Sequence, residues 1–327
     1  MEAELAATHP VVMALAERTR TGSRPGERTD GLRIALAIEG GGMRGTISAG
    51  MALALAQAGL TDAFDAIYGA SAGAITGAWL LTGTPEQLRG WAEPQYANAM
   101  IRFRNAWRGK PIVDVHDLVE HLYVEVAKMD FDAILAHPVT YHPLATDVRT
   151  GLATDLHPYL GSPADVRLAL RASAALPLLA GPPVALGGRL FYDAGLAESI
   201  PYRTALAQGA THVLVLRSRP AGPPPRPRRG PSLGSRLVAA TALRHSAELR
   251  TAYYSRPSRL AEDTTLLTTH NTTPLTSPHP SVLTVHPAPT APAVGRLTRS
   301  PHLLTAALEA GQAATAPLLA LLTPPHP

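Results

Sequence analysis

Apolar positions recur at helical spacing over residues 1–20, and a polar, turn-rich connector, TGSRPGERTDG, follows at 21–31. The run 33–39 (RIALAIE) is apolar and of strand length. It stops at Gly40, Gly41 and Gly42, after which 47–58 resumes with helical spacing. The same order returns at 64–68, which runs into Gly69-Ala70-Ser71-Ala72-Gly73 and an apolar helix through Leu81. Two strand–turn–helix units in succession predict a parallel sheet with crossover helices. Residues 85–137 read as mostly helical, with 115–126 amphipathic, and are expected to cover one end of that sheet. Further strands are expected at 139–146, 188–192, 212–217 and 281–286, and helices at 166–176, 235–254 and 301–322.

Two stretches resist regular structure. The Pro/Arg/Gly run 219–234 reads as a linker or mobile loop, and 264–281 is a Thr/Pro-rich connection. The expected organisation is an N-terminal helix and connector over 1–31, then a single α/β domain over 32–327. Its last strand and helices complete the sheet, because one strand and two helices make a thin core for a second domain.

The 327-residue chain has no cysteine, which removes disulfides, thiol nucleophiles, iron–sulfur clusters and cysteine-ligated zinc together. Its pI near 9.6 at a formal charge of only +4 reflects arginine in place of lysine, since Lys110 and Lys128 are the only lysines. Aromatic residues are 5% of the chain and no nucleic-acid module is visible, so no nucleic-acid partner is expected. Glu2 and Glu4 stand where a signal peptide would be basic, and no apolar run reaches the roughly 18 residues of a bilayer-spanning helix. These features predict a cytoplasmic protein. Peripheral membrane contact stays open, because Arg102, Arg104, Arg108 and Lys110 interleave with Ile101, Phe103 and Trp107; a solvated loop with inward aromatics fits the same pattern.

Three features carry candidate chemistry. Gly69 to Gly73 fits G-x-S-x-G between a strand and a helix, where a strained turn would expose the Ser71 hydroxyl; an ordinary helix start capped by Ser71 is the competing reading. The loop Gly40-Gly41-Gly42-Met43-Arg44-Gly45 also satisfies G-x-G-x-x-G. However, Asp62 and Asp65 precede the next strand, whereas a dinucleotide fold needs its acid at that strand's end. Consecutive glycines can instead turn backbone N–H groups toward an oxyanion. Asp193, in Tyr192-Asp193-Ala194-Gly195, ends a short strand; taken alone it reads more readily as a turn. No helical zinc pair occurs among the 13 histidines, and none sits in a recognisable catalytic loop, His286 being the nearest to one. No metal or cofactor is expected.

In this order, the glycine loop, the Ser71 elbow and Asp193 resemble the patatin-like phospholipases, whose pattern is G-G-G-x-R/K-G, G-x-S-x-G and D-G-G or D-G-A. Ala194 departs from the first glycine of that last motif. Ala145-Thr146-Asp147, Thr150-Gly151, the run 171–177 and Ile200-Pro201 extend the similarity over about 33–217. The resemblance implies an α/β fold of three layers and hydrolysis of lipid acyl esters. It makes Ser71 the nucleophile, Asp193 the base, Gly40, Gly41 and Gly42 the oxyanion hole, and Gly69, Gly73, Gly195 and Arg44 supporting residues. Arg44 could bind a lipid phosphate or brace the loop, the latter preferred. Two alternatives are a Ser–His–Asp esterase, using His212, His245, His270 or His286, and a catalytically silent lipid- or nucleotide-binding module.

Overall fold

A strand buried on both faces reads as an unbroken apolar run, and β1 (Ile34–Ile38) and β2 (Ala66–Ala70) are buried at every position. With β3 (Thr140–Asp147), β4 (Ala153–Asp155), β5 (Val184–Leu186), β6 (Arg189–Asp193), β7 (His212–Leu216) and β8 (Ser281–Val285) they form one sheet. Its order is β5-β6-β3-β2-β1-β7-β8, with β4 on β3. This computed structural model describes residues 8–222, 232–244, 246–272 and 280–322. Strands β3, β2, β1, β7 and β8 run parallel, while β4 and β6 run antiparallel to β3 and β5 antiparallel to β6. The sheet is therefore mixed and mostly parallel, as expected.

Alternation along the strands divides the core. Ile34, Leu36, Ile38 and Ile67 face α1 (Pro10–Thr21), α2 (Gly45–Gln57) and α3 (Ala72–Leu80). Helix α4 (Pro163–Ser173) packs against β3 and β5. Ala35, Ala37, Tyr68 and Val213 face the other way, under α5 (Tyr202–Ala207) and, beyond α6 (Leu233–Ala240), under α7 (Ala247–Thr272). The closing helix α8 (Pro301–Leu322) returns to the first face and lies along α2. A Cβ on Gly50 would stand 2.1 Å from the Leu308 carbonyl oxygen, and one on Gly311 would stand 2.0 Å from that of Ile47. The two backbones touch there because neither residue has a side chain.

Several expectations change. The N-terminal helix is described over Pro10–Thr21, where Pro fits the first helical position and His9 Nδ1 accepts the Val11 N–H at 3.2 Å; residues 1–7 of the expected helix lie outside the described residues. The Thr-rich stretch after 264 does not leave the helix: α7 continues past Pro257 to Thr272, and only 273–279 lie outside the described residues. Tertiary contacts override propensity there. Leu267 is fully buried, Asp263 accepts from Tyr202 and Arg203, and Asn271 exchanges two hydrogen bonds with Thr284 of β8. Strands β4 and β5 carry no signal in the sequence, because three residues are too few to show alternation. Most of the Pro/Arg run, 223–231, lies outside the described residues.

The α2–α8 contact yields a direct stability test. Gly311→Val should cost about 1–3 kcal/mol through overpacking, while exposed Ala313→Ser should stay within about 0.5 kcal/mol. Urea unfolding of both variants measures the difference; equal stabilities would mean that the helices do not meet at this glycine.

Candidate functional site

The ends of β1 and β2 are in register, Ile38 opposite Gly69, and β1 has β2 on one side and β7 on the other. That reversal of strand order opens a crevice at the carboxyl ends of the parallel strands. Ser71 closes β2 with φ 55 and ψ −121, a conformation that costs a non-glycine residue of order 1–3 kcal/mol and turns its hydroxyl outward before α3 begins. Two neighbouring glycines allow the turn. A Cβ on Gly73 would lie 2.1 Å from the Ile38 carbonyl oxygen, and one on Gly69 would lie 2.4 Å from Ala74 Cα. The Ser71 N–H donates to Ser173 Oγ at 2.9 Å, which ties the turn to the end of α4.

The Ser71 hydroxyl donates to Asp193 Oδ2 at 2.7 Å, and both side chains are buried. Asp193 ends β6 opposite Ala145. Its N–H donates to the Ala175 carbonyl at 3.0 Å, and its own carbonyl accepts from the Thr146 hydroxyl at 2.9 Å. The second carboxylate oxygen accepts the Gly195 N–H at 2.8 Å, where a Cβ on Gly195 would come to 2.9 Å from Oδ1. Ala194 fits beside it without strain, because it opens a single 3₁₀ turn and needs no left-handed φ. Burial pushes the Asp193 carboxyl above its ordinary value, against the hydrogen bonds from Ser71 and Gly195 and the charge of Arg296.

The glycine loop lies alongside. Gly40 donates its N–H to the Ser199 carbonyl and Met43 to that of Arg296, both at 3.1 Å; the N–H groups of Gly41 and Gly42 between them have no acceptor among the described residues. Gly42 adopts φ 58, and a Cβ there would meet the Arg296 carbonyl oxygen at 2.7 Å. The Arg44 side chain folds back under Gly41 and donates to Ser218 Oγ at 3.1 Å. Burial pushes its guanidinium down to about 10, with the charge of Arg219 acting in the same direction. Beneath the loop, Glu39 accepts from Arg217 Nε at 3.0 Å and from the Ser218 N–H at 2.7 Å. Burial would raise the Glu39 carboxyl, but Arg217, Arg44 and Arg219 hold it below its ordinary value.

Ser71 is the junction of two cavities. One holds the glycine loop, Asp193, Arg44, Arg219, Arg256 and Arg296. The other is apolar and runs from Ser71 between Ile75, Trp91, Met100, Val115 and Leu118; a third space shares Trp91, Met100 and Leu118 and reaches Trp79 and Tyr123. Much of the apolar wall comes from the segment expected to cover one end of the sheet. Within it Ile101 points inward, Arg102 pairs with Asp117 at 2.5 Å, and Trp107 is 93% exposed.

Among the described residues no histidine lines either cavity at Ser71. His212 sits beside Thr211, His286 Nδ1 lies 3.1 Å from the Arg219 carbonyl, His270 is on α7, and His245 is outside the described residues. Asp65 accepts the Ile34 N–H at 2.7 Å, so it stands at the opposite end of β1 from the glycine loop, away from any ribose a nucleotide would place there. Arg219, Arg256 and Arg296 reach the pocket from segments far apart in the chain and carry no motif. Ser173 and Thr146 fall in stretches of family similarity, which was the only signal for them.

The chain is similar, at 28% identity over 201 residues, to uncharacterised NTE family proteins of Mycobacterium bovis and of two strains of Mycobacterium tuberculosis. The match takes in 58% of this chain and 51% of each relative, so the chain spans about half the length of the curated relatives it matches. A family model described as patatin-like phospholipase matches residues 36–206, a span that runs from β1 through the Ser71 turn and Asp193 to α5. Covering just over half of the sequence, that match shows that the chain belongs to the patatin-like phospholipase family.

Proposed function

We propose that the protein is a serine lipid acyl hydrolase, of phospholipase A or esterase type, working through a Ser71–Asp193 dyad. The observation that carries this reading is the 2.7 Å hydrogen bond from the Ser71 hydroxyl to a buried carboxylate, at a point where an apolar cavity begins. As Ser71 Oγ attacks the acyl carbon, its proton passes to Asp193 Oδ2. The carbonyl oxygen gains negative charge within reach of the uncommitted N–H groups of Gly41 and Gly42. Gly40, whose N–H is bonded to Ser199, acts by holding the loop against the Ser71 turn. Collapse breaks the ester C–O bond, and the leaving alcohol takes the proton from Asp193. Water then attacks the acyl-Ser71 ester with Asp193 as base, which releases a carboxylic acid and restores the hydroxyl.

Arg44 braces the glycine loop through Ser218. The acyl chain lies in the apolar cavity. The lipid is reached at a membrane surface by the rim at 102–110, where exposed Trp107 and Phe103 stand with Arg104, Arg108 and Lys110. Among the described residues no helix is long and apolar enough to cross a membrane. The Ser–His–Asp alternative has no imidazole at the hydroxyl among the described residues to support it. A silent binding module would have no use for a strained serine bonded to a buried carboxylate.

A fluorophosphonate probe should label the wild-type protein and not Ser71→Ala; equal labelling would remove the hydrolase reading. Asp193→Asn should lower ester turnover by about 10²–10⁴-fold, since an amide cannot accept the Ser71 proton. The pH dependence has a definite sign. The base works only when ionised, so kcat/KM should fall as pH drops through a carboxyl value lying above the ordinary aspartate range. The stability share of a raised carboxyl is fully present below its unfolded value and is lost as pH rises through its folded value. The Tm of Asp193→Asn relative to wild type should therefore improve from about pH 4 to about pH 8; a constant difference would mean the carboxyl is not raised. Val115→Phe, which narrows the apolar cavity, should cut kcat/KM on long-chain esters about tenfold more than on a butyrate ester. Parallel losses would place the acyl chain elsewhere.

A further inference from the structure

We propose that the polar cavity beside Ser71 contains an anion-binding subsite for a phosphate-class group, centred on Arg296 with Arg219 and Arg256, and set on the alcohol side of the ester. That the anion belongs to an ester substrate rests on the hydrolase reading; the binding itself does not.

Cations outnumber acids around this cavity. Arg44, Arg219, Arg256 and Arg296 line it, against Glu39 and Asp193. Neither acid is free to answer them. Glu39 is engaged by Arg217 at 3.0 Å and by the Ser218 N–H at 2.7 Å, with Arg219 at 3.6 Å, and Asp193 is bonded to Ser71 and Gly195. The half-buried side chain of Arg296 has no ion pair and no hydrogen bond among the described residues, while Arg219 Nε and Arg217 Nη1 are buried without a hydrogen-bond partner. Burial disfavours the charge on Arg44 and on Arg219, and in both cases neighbouring arginines disfavour it further. Like charges gathered in a partly desolvated cleft repel one another, and a bound anion relieves that repulsion. Guanidinium forks match a phosphate through paired, charge-assisted hydrogen bonds, which a neutral headgroup cannot supply.

Position gives the anion its relation to the ester. Arg296 lines both the polar and the apolar cavity, and its backbone carbonyl holds the glycine loop through Met43. With the acyl chain in the apolar cavity, the polar cavity is left for the alcohol portion, and the arginines stand around it. Arg219, Arg256 and Arg296 all lie beyond residue 206, where the family match ends. The subsite is therefore a property of this chain's C-terminal part.

The test starts from Ser71→Ala in the 327-residue chain, in which no turnover interferes. Calorimetry would compare dodecyl phosphate, dodecanol and inorganic phosphate. Dodecyl phosphate should bind about tenfold or more tightly than dodecanol, and Arg296→Gln should remove most of that advantage, while Arg296→Lys, which keeps the charge, restores part of it. Arg256→Gln supplies a second variant should Arg296→Gln fail to fold. Inorganic phosphate that binds as tightly as dodecyl phosphate would keep the subsite but make free phosphate its ligand. Equal affinity for dodecyl phosphate and dodecanol would overturn the proposal, as would no change in folded variants. In the Ser71 protein, kcat/KM on phosphatidic acid relative to diacylglycerol with the same chains should fall about tenfold in Arg296→Gln, mainly through KM. Equal losses on both esters would reduce Arg296 to a structural role and overturn the proposal. If the wild-type protein hydrolyses neither ester and takes up no fluorophosphonate probe, the hydrolase reading fails, and the calorimetry still decides the subsite.

Discussion

A carboxylate taken out of water is costly unless its oxygens are hydrogen-bonded, and the arrangement at Asp193 meets that demand with two donors from different parts of the fold. One is the hydroxyl of Ser71 and the other is the backbone N–H of Gly195. A hydrogen bond to a charged group contributes about 1.5–3 kcal/mol net, so the Ser71 bond holds the β2–α3 turn and the end of β6 together across β3, while the Gly195 bond is local to the end of β6. The surrounding detail serves that contact. The Asp193 backbone is tied to Ala175 and Thr146, and the Ser71 backbone is tied to Ser173, so neither end of the bond is free to drift.

A second buried charge organises the glycine loop. Glu39 directly precedes Gly40, and the cations around it come from the end of β7 and the segment after it. Because β7 is paired with β1, that ion cluster ties the loop to the strand on the side of β1 opposite β2. The loop is thereby held from both sides, by Ser199 and Ser218 on one hand and by the Arg296 carbonyl on the other. Two N–H groups, of Gly41 and Gly42, stay uncommitted among the described residues between those anchors. A buried ion cluster of this kind is a weak source of stability, and its value lies in fixing geometry.

Polar and apolar space meet at Ser71, and each is built from a different part of the chain. The sheet and its crossover turns supply the hydroxyl, the carboxylate and the loop. The short helices between α3 and β3 supply the apolar wall, and the C-terminal part supplies the arginines. The helix that returns over α2 reaches it because Gly50 and Gly311 let two backbones touch.

Local chemistry determined much of this from the sequence alone. Apolar runs ending in glycines marked β1, β2 and their turns, since a short apolar run bounded by glycines is of strand length and too brief for a buried helix. The G-x-S-x-G spacing located Ser71, and the order of three motifs located Asp193. What no local signal held is which distant groups converge. Asp193 taken alone resembled a turn, because only the pairing of β6 with β3 brings its carboxylate to Ser71, 122 residues away. All three glycines of the loop looked alike in sequence, and only the contact of Gly40 with Ser199 distinguishes its N–H from those of Gly41 and Gly42. Thr-rich residues after 264 looked like a loop because propensity is local, whereas the helix there is held by Asp263, Leu267 and Asn271 against other elements. Arg219, Arg256 and Arg296 are scattered through an arginine-rich chain, and their shared pocket exists only once β7, α7 and the approach to α8 are packed. Charge is written residue by residue, but a binding site for charge depends on separation in space, which tertiary structure alone decides.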